Sequence, residues 1–264
     1  MSDLSFPTER RWLLLPGLGQ TGAYWAPVAR WLAADGIALL AADMPALAAA
    51  CTAPRGSYDR LTEMAHRLAD AAAERGISAV VGHSAGAPAA LLTTGRRGIR
   101  ATMLVEPVPE HFGMSLSAPR AGVPDLMRGD SEPAESVQAL RRLHPLAAET
   151  TLRAIAAATT AGWGRPRSVP ASSAGAGRLP AARARAVGDR LGATATPVLV
   201  LSGALSAMLP GDLARVLAGQ ATAGTHRTVA RAGHSPHVDR PRETAAALTA
   251  WHDEVFTSPS GQVS

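Results

Sequence analysis

The chain has a single cysteine, Cys51, among 264 residues. One thiol cannot form an internal disulfide, and no cysteine-based zinc site is open to it. Cys51 itself reads as a small loop or half-buried residue. Aromatic residues make up only 4% of the chain against 47% hydrophobic residues overall, so alanine, leucine and valine must fill the core. No long basic run is present and no aromatics are interleaved with basic residues. The formal charge of +5 therefore reads as arginine scattered over solvated faces, with no nucleic-acid partner. The eight histidines show no pair at metal-ligand spacing on a helix, and neither a metal nor an organic cofactor is expected. The longest early apolar run, at residues 12–15, is far too short to span a membrane. Residues 1–10 lack the basic-then-apolar order of a signal peptide. The expectation is a soluble, cytoplasmic protein without a membrane partner; composition leaves the oligomeric state open.

What is present is a rhythm of short apolar runs alternating with helical patterns. Runs at 11–16, 37–42, 77–81, 101–105 and 197–202 read as buried strands. Residues 25–34, 61–75, 85–94, 181–191 and 242–255 read as helices. A short helix is expected at 212–217, a last strand at 225–230, and a frayed tail from 257. This alternation implies βαβ units, a mostly parallel central sheet and helices on both faces. From residue 108 the character changes. Residues 114–180 are rich in Pro, Gly, Ser, Arg and Ala, with helical patterns at 133–143 and 146–161. The expected division is a core made of residues 1–107 and 181–264, with 108–180 inserted as a helical cap over the carboxyl ends of the strands.

Three motifs carry chemistry. Gly82-His83-Ser84-Ala85-Gly86 follows an apolar run and enters a small-residue helix. This is the strand, turn and helix that lift a serine hydroxyl to the tip of a sheet. Gly17-Leu18-Gly19-Gln20-Thr21-Gly22 lies between the first strand and the next helix, with Asp43 about twenty residues on, and so also matches a dinucleotide-binding fingerprint. That reading would make the chain an NAD(P)-dependent oxidoreductase, but it leaves the other motifs without a role. The same loop can instead offer the backbone N–H of Leu18 to a developing oxyanion, beside the N–H of Ala85, with Asp43 ordering the loop near Pro45. The third motif is Gly233-His234-Ser235-Pro236-His237, read as a loop.

On these pieces, together with Asp43-Met44-Pro45, the strand at 197–202 ending at Gly203, and Arg240-Pro241, the chain resembles the α/β-hydrolase superfamily over nearly all of its length except the cap. The resemblance implies that Ser84 is the nucleophile and His234 the general base, because a serine hydroxyl needs a base to take its proton as it attacks. His83 and His237 fall to structural or lining roles. The usual acid position, three residues past Gly203, holds Ser206, which cannot supply a charge. Asp212, farther along, is expected to cap its helix. Some relatives carry the acid after the preceding strand, where this chain has Glu106, so the expected triad is Ser84, Glu106 and His234, with Asp212 the other acid left open. Pro16 stands where the family often has histidine, and Ala87 where it often has a second glycine. The implied activity is cleavage of an ester, lactone or thioester of a small to medium apolar molecule through an acyl-enzyme. The superfamily also includes lyases, cyclases and C–C bond hydrolases. Met114, Leu116, Met127 and Trp163 are candidate lining residues of the cap, each equally readable as core.

Overall fold

The computed structural model describes residues 10–17, 20–41, 57–96, 98–114, 137–160, 179 and 181–257. Cys51, Leu18, Asp43, Leu116, Met127 and Trp163 lie outside the described residues, as does the tail from 258.

The apolar runs form a six-stranded sheet: β1 (Arg11–Leu15), β2 (Ala38–Ala41), β3 (Ala79–His83), β4 (Ala101–Val105), β5 (Val198–Gly203) and β6 (Gly224–Val229). The strand order is β2-β1-β3-β4-β5-β6, and every neighbouring pair is parallel. The three central strands β3, β4 and β5 are buried along their whole length, as continuous apolar runs in a doubly covered parallel sheet must be. The edge strands β2 and β6 are mostly half-exposed.

Alternation along each strand divides the core in two. Leu13, Leu15, Val80, Leu104, Val198 and Val200 face α2 (Ser57–Glu74), α3 (Ala87–Thr93), α6 (Ala181–Ala193) and α7 (Gly211–Ala218). Trp12, Leu14, Val81, Met103, Leu199 and Leu201 face α1 (Ala26–Ala34) and α9 (Pro241–Thr257), whose Val28, Leu32, Leu248 and Trp251 fill that side. A third cluster joins Leu140 of α4 (Val137–Leu143) and Leu152 and Ile155 of α5 (Glu149–Thr160) to Ala23, Tyr24 and Val238. Helices α4 and α5 thus rest on the 3-10 turn Gly22–Trp25 and on α8 (Pro236–Asp239), both of which follow strand ends.

Three local expectations are corrected. Residues 233–237 are not all loop, because Pro236 opens α8, where its fixed φ suits a first helical position. The helix expected from residue 85 starts at Ala87, after a 3-10 turn over Ser84–Gly86. Asp212 does not cap α7: the N-cap is Pro210, with no side-chain cap bond, and Asp212 lies exposed in the first turn.

Candidate active site

The strand order reverses direction between β1 and β3, since the chain leaves β1 toward β2 and β3 toward β4. Such a switch point opens a crevice at the carboxyl ends of the strands. The loop after β1 and the turn after β3 both lie there.

Ser84 follows β3 with φ of 49°, a left-handed conformation that a non-glycine residue adopts only when its surroundings impose it. The glycines on either side supply that constraint. A Cβ on Gly82 would sit 2.6 Å from the Gly86 carbonyl oxygen, and one on Gly86 would sit 2.6 Å from that of Pro16. Glu106, directly after β4, has the same φ of 49°. Its backbone N–H continues the ladder to Leu201 at 2.8 Å, and its side chain is fully buried.

His234 lies between the two tips. Its Nε2 is 3.0 Å from Ser84 Oγ, and its Nδ1 is 3.1 Å from Glu106 Oε2. Glu106 Oε1 accepts the Gly203 N–H at 2.6 Å, and Oε2 accepts the Ser206 hydroxyl at 2.6 Å. A buried carboxylate is costly unless its oxygens are matched by donors, and here each of them is. The loop that carries His234 is held by Asp239, whose Oδ2 accepts the Gly233 N–H at 2.8 Å. Burial raises the Asp239 carboxyl above its ordinary value.

The structure therefore brings Ser84, His234 and Glu106 together, and Ala85 sits buried in the turn directly after the serine. Asp212 is not part of this group; Ser206 is, as a donor to Glu106. Met114 is half-buried and packs against the core cluster of Leu13, Val80 and Phe112.

A shell of histidines surrounds the group. His83 Nε2 lies 2.8 Å from the His234 carbonyl oxygen and its Nδ1 lies 2.8 Å from Gln20 Oε1; both partners are acceptors, and a neutral ring donates to one of them at a time. Gln20 Oε1 accepts the Gly17 N–H at 3.1 Å, so the glycine-rich loop and the loop of His234 both lie against His83. His237 is fully buried, stacked on Trp25 at 4.4 Å and edge-on to His83 at 4.4 Å. Neither of its ring nitrogens has a hydrogen-bond partner among the described residues. Burial, followed by neighbouring imidazoles, holds both His83 and His237 well below the ordinary histidine range. His144, between α4 and α5 and against Tyr24, is lowered to about 4, mainly by burial and then by His234. These rings are neutral near pH 7.

Sequence reasoning missed Gln20, His144 and Asp239 as parts of this region. Asp239 carried a readable sign, an acid in a Pro-initiated turn five positions past His234. Gln20 and His144 carried none, since the contacts that bring them here, Gln20 to His83 and His144 to Tyr24, join positions far apart in the chain.

The sequence model of the alpha/beta hydrolase family matches residues 12–247. The chain belongs to that family. No curated protein matches it significantly. Among solved structures, the hydrolase chain is similar to a peroxisomal alpha-beta-hydrolase of Saccharomyces cerevisiae, with a TM-score of 0.66 at 17% identity over 96% of this chain and 80% of that one. It is similar to an esterase of M. tuberculosis, with a TM-score of 0.64 at 22% identity over 94% and 86%. It is also similar to the thioesterase domain from the curacin biosynthetic pathway, with a TM-score of 0.60 at 21% identity over 93% and 92%. At these identities the likeness carries the fold. No helix among the described residues is long and apolar enough to cross a membrane.

Proposed function

We propose that this hydrolase cleaves a carboxylic ester, lactone or thioester of a small to medium apolar substrate through a covalent acyl-enzyme on Ser84. The observation that carries the reading is the continuous contact from Ser84 Oγ through the two nitrogens of His234 to Glu106, at 3.0 and 3.1 Å. His234 Nε2 takes the serine proton as Oγ attacks the carbonyl, then returns it to the leaving alcohol or thiol. Glu106 keeps the proton of the neutral imidazole on Nδ1 and stabilises the imidazolium that forms. The N–H groups of Ala85 and Leu18 stabilise the oxyanion. Water, activated by His234, then releases the acid. This reading gives each motif a role, including the glycine-rich loop, which a nucleotide-binding reading leaves apart from Ser84 and His234.

The insertion over residues 108–180 acts as a cap in this proposal. Its support is the packing of α4 and α5 onto Tyr24 and Val238, next to the loops after β1 and β6. Similar folds include an esterase and a thioesterase domain, which agrees with the bond type.

A fluorophosphonate probe tests the reading. The intact protein should label covalently on Ser84, and Ser84→Ala should not label. An intact protein that stays unlabelled while it turns over no ester or thioester would sink the proposal.

A further inference from the structure

We propose that Ser206 is a positioning residue that fixes the Glu106 carboxylate for His234, a role that rests on the serine hydrolase reading above. The geometry assigns each of its hydrogen-bonding directions. Ser206 is buried, and its Oγ accepts the N–H of Met208 at 3.2 Å and of Leu209 at 3.1 Å. A hydroxyl has two lone pairs and one hydrogen. With both lone pairs engaged by backbone N–H groups, its hydrogen points to Glu106 Oε2, 2.6 Å away. That distance falls in the range of a charge-assisted O–H to carboxylate bond.

The same oxygen receives His234 Nδ1 at 3.1 Å, while Gly203 N–H holds Oε1 at 2.6 Å. A carboxylate pinned at both oxygens cannot rotate about its last bond, so Oε2 keeps one lone pair aimed at the imidazole. The pin is itself anchored. Ser206 N–H donates to Gly203 at 3.1 Å, Leu205 N–H to Ala232 at 2.8 Å and Ala204 N–H to Val229 at 2.9 Å. The turn after β5 therefore links the acid after β4 to the segment that leads from β6 into His234. Ser206 touches no reacting atom and acts through Glu106.

The test uses the full chain with Ser206→Ala, Ser206→Thr and Ser206→Cys. The kinetic readout is hydrolysis of a short p-nitrophenyl ester. The spectroscopic readout is the downfield proton resonance of His234 Nδ1–H, identified by its loss in Glu106→Gln. Ser206→Ala should lower kcat about 10- to 100-fold with little change in KM, as loss of one hydrogen bond to a charged group implies, and should shift the resonance upfield. Ser206→Thr should restore both. Ser206→Cys, with a weak donor on a similar frame, should fall between them, and it carries the test if the alanine variant does not fold. Wild-type kcat and an unmoved resonance in the alanine or cysteine variant would overturn the proposal. The resonance is read without substrate. A wild type that takes no fluorophosphonate label and turns over no ester or thioester, yet shows a Ser206-dependent resonance, would thus sink the hydrolase reading and leave the positioning intact. An active wild type indifferent to Ser206 would sink the positioning alone.

Discussion

The tips of β3 and β4 lie side by side, and each ends in a non-glycine residue with φ of 49°, Ser84 on one and Glu106 on the other. What holds the functional group in place differs between them. At Ser84 the cause is mostly local, because Gly82 and Gly86 let the backbone fold back on itself and under Pro16. At Glu106 the cause is distant. The donors to its carboxylate come from Gly203, Ser206 and His234, which are 97, 100 and 128 positions away in the chain. A tip shaped by a tight turn leaves a five-residue trace in the sequence. A tip held by long-range hydrogen bonds leaves only its own letter.

The largest test of this contrast removes charge from the second tip without changing its shape. Glu106→Gln should lower kcat by about 10³- to 10⁴-fold, the scale seen when a triad acid loses its charge and the imidazole tautomer is no longer fixed. Asp212→Asn should leave kcat unchanged, since Asp212 is exposed in the first turn of α7 and outside the triad group. Steady-state kinetics on one ester decides both. Full activity in Glu106→Gln together with loss in Asp212→Asn would reverse the assignment of the acid.

A second test crowds the backbone at each tip. Gly86→Ala would place a Cβ 2.6 Å from the Pro16 carbonyl oxygen, and Gly203→Ala would drive one into the carbonyl oxygens of Ala232 and Gly233. Neither clash is with a flexible side chain, so each should cost about 1–3 kcal/mol of stability, the usual scale of overpacking. The two variants should differ in activity. Gly203→Ala displaces the N–H that holds Glu106 Oε1, so its folded fraction should lose kcat beyond what its stability explains. Urea unfolding paired with kinetics at low temperature separates the two effects. Equal specific activity per folded molecule in both variants would break the contrast.

How much could be read in advance follows the same division. The central strands were legible because a parallel sheet buried on both faces demands continuous apolar runs, as Val80-Val81 and residues 101–105 show. The Ser84 turn was legible because its cause lies within a few residues. Ser206 was read only as a residue unable to carry the charge. Its contact with Glu106 depends on how β4 and β5 register, which no local pattern contains. Helix α8 was missed because four residues are too few to show a period, although Pro236 marked its start. The N-cap expected at Asp212 failed because Pro210 sets the entry to α7 and the helix begins one residue earlier, at Gly211.

Acid should expose the smallest difference between the tips. Beside Ser84 stands His83, and near it His237 and His144, all held below the ordinary histidine value chiefly by burial. Near Glu106 stands Asp239, whose carboxyl burial raises. For the histidines, the unfolded chain takes up protons below about pH 6.5 that the fold refuses. Their contribution is complete above that pH and is lost as pH falls toward the folded values. Asp239 runs the other way, since its raised value favours the folded state as its carboxyl protonates. His144, with a folded value of about 4, has a defined window from 6.5 down to 4. Within it, this one residue should remove at most about 1.4 kcal/mol per pH unit. His144→Gln should flatten the fall in urea midpoint between pH 6.5 and 4.5 by that amount and leave the stability near pH 8 lower only by lost packing against Tyr24. A slope unchanged by the substitution would mean that His144 titrates alike in the folded and unfolded chain, and that its burial against Tyr24 does not exclude the proton.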